Sequence, residues 1–258
     1  MPQDIRRPLR KILPHLLKAK KDNLNEADTC TLICEILQSV LDYDPLHDIS
    51  REVTIKEGRA DFAVKLDGAV KFIVEAKAAG VTLRARHIGQ AERYAAEGNI
   101  PWVLVTNGLT WHLYHLTFDE GIEYETVFSV DLSVDELPKA AEIISLLHKK
   151  SIAKDELDEF WKKRAALGPG SIAKALFTED MLRRVRREIR RREGVLIDHE
   201  DLGRAIHDMF SVEVREKIGP FKIIRRRKRK PQSVTIAPPV PTPTAASTPV
   251  KDQLARKL

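Results

Sequence analysis

Phe72–Gly80 reads FIVEAKAAG, and the placement of this stretch decides the fold. Phe72, Ile73 and Val74 make a short apolar run of the kind that fills a buried β-strand. Buried strands rarely carry charge, yet Glu75 and Lys77 stand at the end of this one. Two residues apart on a strand, they point to the same face. An acid beside a base at the exit of a buried strand calls for a further group on that face.

Asp61, in GRADFAV (58–64), is the nearest candidate. The strand-like runs Ala60–Leu66 and Val70–Lys77 flank Asp67-Gly68, a hairpin signal. A two-residue turn pairs Leu66 with Ala69 and hence Asp61 with Val74, which sends Asp61 to the face opposite Glu75. A three-residue loop, Leu66-Asp67-Gly68, pairs Asp61 with Ile73 and puts Asp61, Glu75 and Lys77 on one face. The chemistry therefore predicts the odd loop. Two carboxylates a few ångströms apart are costly unless a cation lies between them, and hard oxygen ligands suit Mg²⁺ or Mn²⁺. Lys77 is then placed to orient or deprotonate a water, or to stabilise charge at a phosphate. Such a cluster fits phosphodiester hydrolysis.

Around it, residues 5–21 read as a helix broken or delayed by Pro8 and Pro14, and Asn23 or Asn25 caps a second helix over 25–41. Strands are expected at 52–56, 60–66, 70–77, 102–106 and 110–116, with a helix at 85–97 closed by Gly98. Trp102, Trp111 and Tyr114 belong to the core. The order gives a mixed α/β or α+β domain. Helices follow at 137–148 and 153–166, then a break at Gly168-Pro169-Gly170, then helices at 178–193 and 199–210. Phe221–Ile224 reads as a short strand leading into RRRKRK (225–230), and the Pro/Thr/Ala-rich remainder as disordered. The expected organisation is an N-terminal helical segment (1–22), a catalytic domain (23–135), a helical basic extension (136–230) and a tail (231–258).

Composition narrows the class. The chain has 258 residues, 43% of them hydrophobic, which is ample for a packed core. No apolar run approaches the ~20 residues a membrane span needs, and no signal peptide is evident, so the expected location is the cytoplasm without membrane attachment. Cys30 and Cys34, one helical turn apart, suit a reducing compartment and make neither a disulfide nor a good metal site. Net charge is +6, unevenly spread. Residues 1–149 hold 18 Lys and Arg against 23 Asp and Glu, whereas residues 150–230 hold 23 against 14. That asymmetry assigns polyanion contacts to the second half.

The ordered set NEADT (25–29), GRADFAV (58–64), FIVEAKAAG (72–80), Gln90-x-x-x-Tyr94 and VLVTNGLTWHLY (103–114) resembles the N-terminal nuclease domain of type I restriction enzyme R subunits, over about residues 20–135. That domain is of the PD-(D/E)XK nuclease superfamily, whose proline is here Ala60. The resemblance implies a PD-(D/E)XK restriction-endonuclease-like core, a mixed central sheet flanked by helices. It implies that Asp61, Glu75 and the Ala76 carbonyl bind Mg²⁺ (or Mn²⁺), that Lys77 is the catalytic lysine, and that Glu26 completes the acidic cluster. Gln90 and Tyr94 would support the site and touch DNA, and Arg84, Arg86 and Arg93 are candidates for phosphate contacts. No G-x-x-x-x-G-K-[ST] phosphate loop occurs in these residues, so the expected protein is a nuclease domain without the ATP-driven motor.

MLRRVRREIRRREG (181–194) sets arginines all around a helix. Glu188 has helical spacing to Arg184 and Arg192. Arg187, Arg191 and Arg226 are the expected DNA-backbone contacts, with an acidic partner protein as the other reading. The expected function is a Mg²⁺-dependent deoxyribonuclease in restriction or defence, working on DNA, alone or with restriction-modification or other defence subunits. Cleavage of both strands by one site per chain calls for a homodimer or sequential nicking. The alternatives are a non-catalytic nucleic-acid-binding or adaptor module of the same fold, and a repair or junction-resolving nuclease.

Overall fold

A computed structural model of the chain describes residues 3–225 apart from 56, 57 and 120. Arg226 and the tail expected at 231–258 lie outside the described residues. The chain divides into two compact units, Met1–Ile172 and Ala173–Leu258.

The first unit is built on a six-stranded mixed sheet whose spatial order follows the sequence: β1 (Ile49–Ile55), β2 (Gly58–Leu66), β3 (Ala69–Ala76), β4 (Trp102–Thr106), β5 (Thr110–Thr117) and β6 (Glu123–Asp131). Every neighbouring pair is antiparallel except β3 and β4, which run parallel. The crossover between those two carries α3 (Gly89–Gly98). Alternation along the strands fills both faces. Phe62, Val64, Phe72, Val74, Trp102 and Leu104 point into one apolar cluster, whereas Ala63, Ile73, Val103 and Val105 point into another. α1 (Arg6–Lys21), α2 (Glu26–Ser39) and α4 (Leu137–Ile144) supply the first cluster with Leu9, Leu16, Ile33, Leu37 and Ile144. α3 supplies the second with Ala91, Tyr94 and Ala95. The sheet is therefore flanked by helices, as the sequence indicates.

Several boundaries differ from expectation for physical reasons. Pro8 lies in the first turn of α1, where its missing N–H has no intrahelical acceptor to lose. Pro14 does lie inside the helix, but Leu9, Ile12, Leu16 and Ala19 bury one face of it, and that burial holds the helix together across the lost hydrogen bond. α3 is closed by Asn99 in the left-handed conformation (φ 51°), not by Gly98, which remains the last helical residue. The Glu- and Tyr-led start of β6 hides an edge strand, of which only Val127, Phe128 and Val130 are buried. α5 (Lys149–Ile152) and α6 (Glu156–Ala166) follow α4, and Leu147, Ile152 and Leu157 pack into the first cluster. The first unit thus runs on to Ile172. Pro169, expected as part of a break, opens α7 (Pro169–Leu176), which straddles that division.

The second unit contains α8 (Glu179–Glu193), α9 (His199–Asp208) and α10 (Val212–Ile218). Leu182 of α8 and Leu202 of α9 are buried, and the Arg186 guanidinium lies 3.1 Å from His199 Nδ1. Phe177 meets the rings of Phe210 and Phe221, and Phe221 lies so close over Gly203 that a side chain there would collide with it. Phe221–Ile224 forms only an isolated parallel bridge, Thr178 with Ile224, which ties the start of Arg225–Lys230 to the beginning of α8. No helix among the described residues is long and apolar enough to cross a membrane.

Candidate active site

The β2–β3 hairpin closes on the two-residue turn Asp67-Gly68, with φ of 51° and 79° and Leu66 paired with Ala69. That turn alone would send Asp61 away from Glu75. The odd loop expected from the sequence is not there. A bulge between Val64 and Lys65 does the same work: Lys65 pairs with Val70 but Val64 pairs with Phe72, so Lys71 is the extra residue. Beyond it Phe62 pairs with Val74, and Asp61 falls across from Glu75 on the α3 face. On the other side, the β1–β2 register would set Glu52 against Asp61, but Glu52 drops out of the pairing with φ 47°.

Four charged groups gather where β3 ends. Asp61 Oδ2 accepts the Ala76 N–H at 2.7 Å, which fixes the carboxylate against the neighbouring strand. Lys77 Nζ donates to Glu75 Oε1 at 2.6 Å and lies 3.7 Å from Glu26 Oε2. The Lys77 N–H is held by the Thr106 carbonyl of β4 at 2.9 Å, so the lysine's backbone is fixed by the parallel pair. Glu75 is only 4% exposed. Burial pushes its carboxyl up to about 7 against the Lys77 hydrogen bond, and the charge of Asp61 adds to the rise. Burial also works against the Lys77 ammonium, but the Glu75 hydrogen bond and the surrounding carboxylates outweigh it and raise its pKa. Lys77 is therefore a cation at neutral pH.

Glu26 is the first residue of α2, whose N-cap is Asn25; the Asn25 side chain accepts the Asp28 N–H at 2.9 Å. Asn23, the other candidate cap, takes a left-handed conformation (φ 53°) ahead of the helix. Three positioning residues escaped the sequence reading. Buried Thr29 accepts the Ala79 N–H on Oγ1 at 3.1 Å, joining α2 to the segment after Lys77. Gly80 packs against the Asn23 side chain, which would have to shift to admit a Cβ. Asn107, 6% exposed, donates to the Val81 carbonyl at 2.8 Å and accepts the N–H groups of Leu109 and Thr110. It thus pins the post-Lys77 segment to the β4–β5 turn. Asn107-Gly108 is itself a turn dipeptide, but the long bond to Val81 leaves no local trace.

The remaining expected residues are spread wider. Gln90 is the second residue of α3 and Tyr94 follows one turn later, 4% exposed in the second cluster, where burial raises its pKa. Arg84 and Arg86 are exposed at a 3₁₀ turn, Ala85–Ile88, and Arg93 is exposed on α3. His87 is a capping residue: its Nδ1 accepts the Arg84 N–H at 3.1 Å, and burial together with Arg86 and Lys77 lowers its pKa. Cys30 and Cys34 are free thiols; burial first, and then Asp61 and Glu26, push Cys30 up to about 11. On α8, Arg187 is exposed, but Arg191 is held by Glu188 at 2.6 Å. Glu188 binds Arg191 and Arg192, and not Arg184.

A six-stranded mixed sheet with an acid, an acid and a lysine converging at its central strands makes the first unit a mixed α/β domain with a charged cluster at the end of β3. Residues 30–129 match the family model described as the type I restriction enzyme R protein N terminus. Four of the five motifs fall within that match, and Asn25–Thr29 precedes it. No curated protein matches the chain. Among solved structures, the type IIG restriction endonuclease BpuSI is similar at 17% identity and a TM-score of 0.34, over 53% of this chain and 18% of that one. The chain thus spans less than a fifth of that enzyme.

Proposed function

We propose that the protein is a Mg²⁺-dependent DNA endonuclease that hydrolyses phosphodiester bonds, acting in restriction or defence against foreign DNA. One observation carries the reading: Asp61, Glu75 and Lys77 converge at the end of β3, with Glu26 at the edge of the cluster. The matched R-protein family supports the class of reaction.

The donor set fits a hard divalent cation. Glu75, Asp61 and Glu26 face a single ammonium, and the buried Glu75 carboxyl resists ionisation for want of further positive charge. Among the described residues no three His, Cys, Asp or Glu side chains are already gathered as a cage, so the Ala76 carbonyl and solvent would complete the set held by Asp61 and Glu75. Bound there, Mg²⁺ would supply Lewis acidity and a more acidic water. The protein's own part follows from its geometry. Asp61 is oriented by the Ala76 N–H, and among the described residues its other oxygen accepts no hydrogen bond. Lys77 keeps its proton, so it acts through its charge on the phosphate and not as the base that takes a proton from water. Glu75 gives up its proton near neutrality, which couples cation entry to pH.

Supercoiled plasmid incubated with Mg²⁺, Mn²⁺ or EDTA tests this, with Lys77→Ala alongside. Metal-dependent nicking or linearisation that is lost in the variant supports the proposal. Folded wild-type protein that binds DNA but never cuts it with either metal makes the chain a binding module of the same fold. Preferential cutting of branched over linear duplex would assign it to repair.

A further inference from the structure

We infer that the outer face of α8 is a sequence-independent docking surface for the nucleic-acid phosphate backbone, centred on Arg187 and completed by Arg184 and Arg190. α8 carries seven arginines and four acids in 15 residues. Its inward side is set by Leu182, fully buried, and by Arg186, which is tied to His199 of α9. At helical spacing Arg184 and Arg187 turn the other way and Arg190 lies on the flank between the two sides, and all three are exposed.

What distinguishes this face from ordinary solvation is how the acids are used. Glu179 and Asp180 pair with Arg183, and Glu188 takes both Arg191 and Arg192. Arg184, Arg187 and Arg190 have no acidic partner among the described residues. Each of the four helical neighbours of Arg187, at positions 183, 184, 190 and 191, is itself an arginine. Like charges at these spacings destabilise a helix by a few tenths of a kcal/mol per pair, and a helix selected for solubility alone would interleave acids there. A line of phosphates relieves that repulsion. Arginine forks suit phosphate oxygens, and the contact reads no bases. The sequence adds a second run in keeping, since Arg225, tied to the start of α8 through the Thr178–Ile224 bridge, opens Arg225–Lys230. The inference rests on DNA as the polyanion but not on the cleavage chemistry, and its test omits cleavage.

The test is binding of the full chain to a short fluorescein-labelled duplex in EDTA, by anisotropy, across a salt series. Arg184→Gln/Arg187→Gln/Arg190→Gln is expected to bind about 10- to 100-fold more weakly at ~0.1 M salt, with the log–log salt slope shallower by about 2 to 3, on unrelated sequences alike. Arg187→Glu alone is expected to weaken binding in the same direction, and circular dichroism checks that both variants stay folded. An unchanged slope in folded triple variant overturns the inference. So does equal binding of polyglutamate of matched charge, with equal loss in the variant, which would make the face a contact for an acidic protein. A chain that binds this way but never cuts would sink the nuclease reading and leave this one standing.

Discussion

The end of β3 and the outer face of α8 are both dense in charge, and they treat it in opposite ways. At the end of β3 Asp61 is held by the Ala76 N–H, Glu75 and the Lys77 ammonium hold each other, and the Thr106 carbonyl fixes the Lys77 backbone. On α8 Arg184, Arg187 and Arg190 are exposed, and Arg187 has an arginine at each of its helical neighbours. Buried, partnered charge is fixed in space and has shifted protonation, which suits chemistry on one atom. Exposed, unpartnered charge acts over a Debye length and fades with salt, which suits holding a long anion. The two regions should therefore fail differently when altered.

The largest effect is expected from Lys77→Ala. Removing a positioned cation from the reacting phosphate should lower cleavage about 10²- to 10³-fold, and more if Glu75 then stays protonated. Duplex binding in EDTA should stay within a few-fold of wild type, because the α8 face is intact. Single-turnover cleavage and anisotropy on the same preparation check both halves. A parallel loss of binding and cutting would break the division of labour.

Asn107→Ala should act on the fold first. It leaves the Val81 carbonyl and two N–H groups without their partner, at about 1–3 kcal/mol, or roughly 3–10 °C in Tm. Cleavage should fall even below the melting range, because the segment after Lys77 loses its tie to the β4–β5 turn. Thermal scans with activity measured well below Tm separate the two.

Residue 107 also marks how far the sequence was legible. The FIVEAKAAG strand, its hairpin partner and the acid–acid–lysine set could be read because burial, alternation and charge are local signals carried by Phe72–Lys77 and Asp61. The register could not, because Lys71 is an unremarkable strand residue and its extra place in β3 comes from pairing with β2. The same holds for Thr29 and Gly80. Each matters through a residue far along the chain, Ala79 for the first and Asn23 for the second. Pro14 misled for the complementary reason: a local rule against helix yielded to burial of Ile12 and Leu16 in the first apolar cluster.

Glu75→Gln sharpens the contrast through pH. The folded chain holds this proton up to about 7, whereas the ordinary carboxyl releases it near 4.5. Between those values the folded state binds more protons than the unfolded one. Glu75's contribution is therefore fully present below about 4.5 and is lost as pH rises through 7. Lys77, raised from its ordinary value, does not titrate in that window. Wild type should lose Tm from pH 5 to pH 8 relative to Glu75→Gln, and Mg²⁺ should restore it at pH 8 in wild type only. Parallel Tm–pH curves for the two proteins would remove Glu75 as a coupled acid.

The smallest effect, and the one most particular to α8, is expected from Glu188→Gln. Glu188 holds Arg191 at 2.6 Å and Arg192 at 2.7 Å, in the open, so losing it should move Tm by no more than about two degrees. It frees two arginines, one of which, Arg191, borders Arg187. Duplex affinity should then rise a few-fold at ~0.1 M salt, with a steeper salt slope, while cleavage per bound complex is unchanged. A gain of binding on deleting an acid is hard to obtain from a helix whose charges only solvate it. Weaker binding would mean that Glu188 orders the arginines it pairs with, and the docking face would then have to include Arg191 and Arg192 in their paired positions.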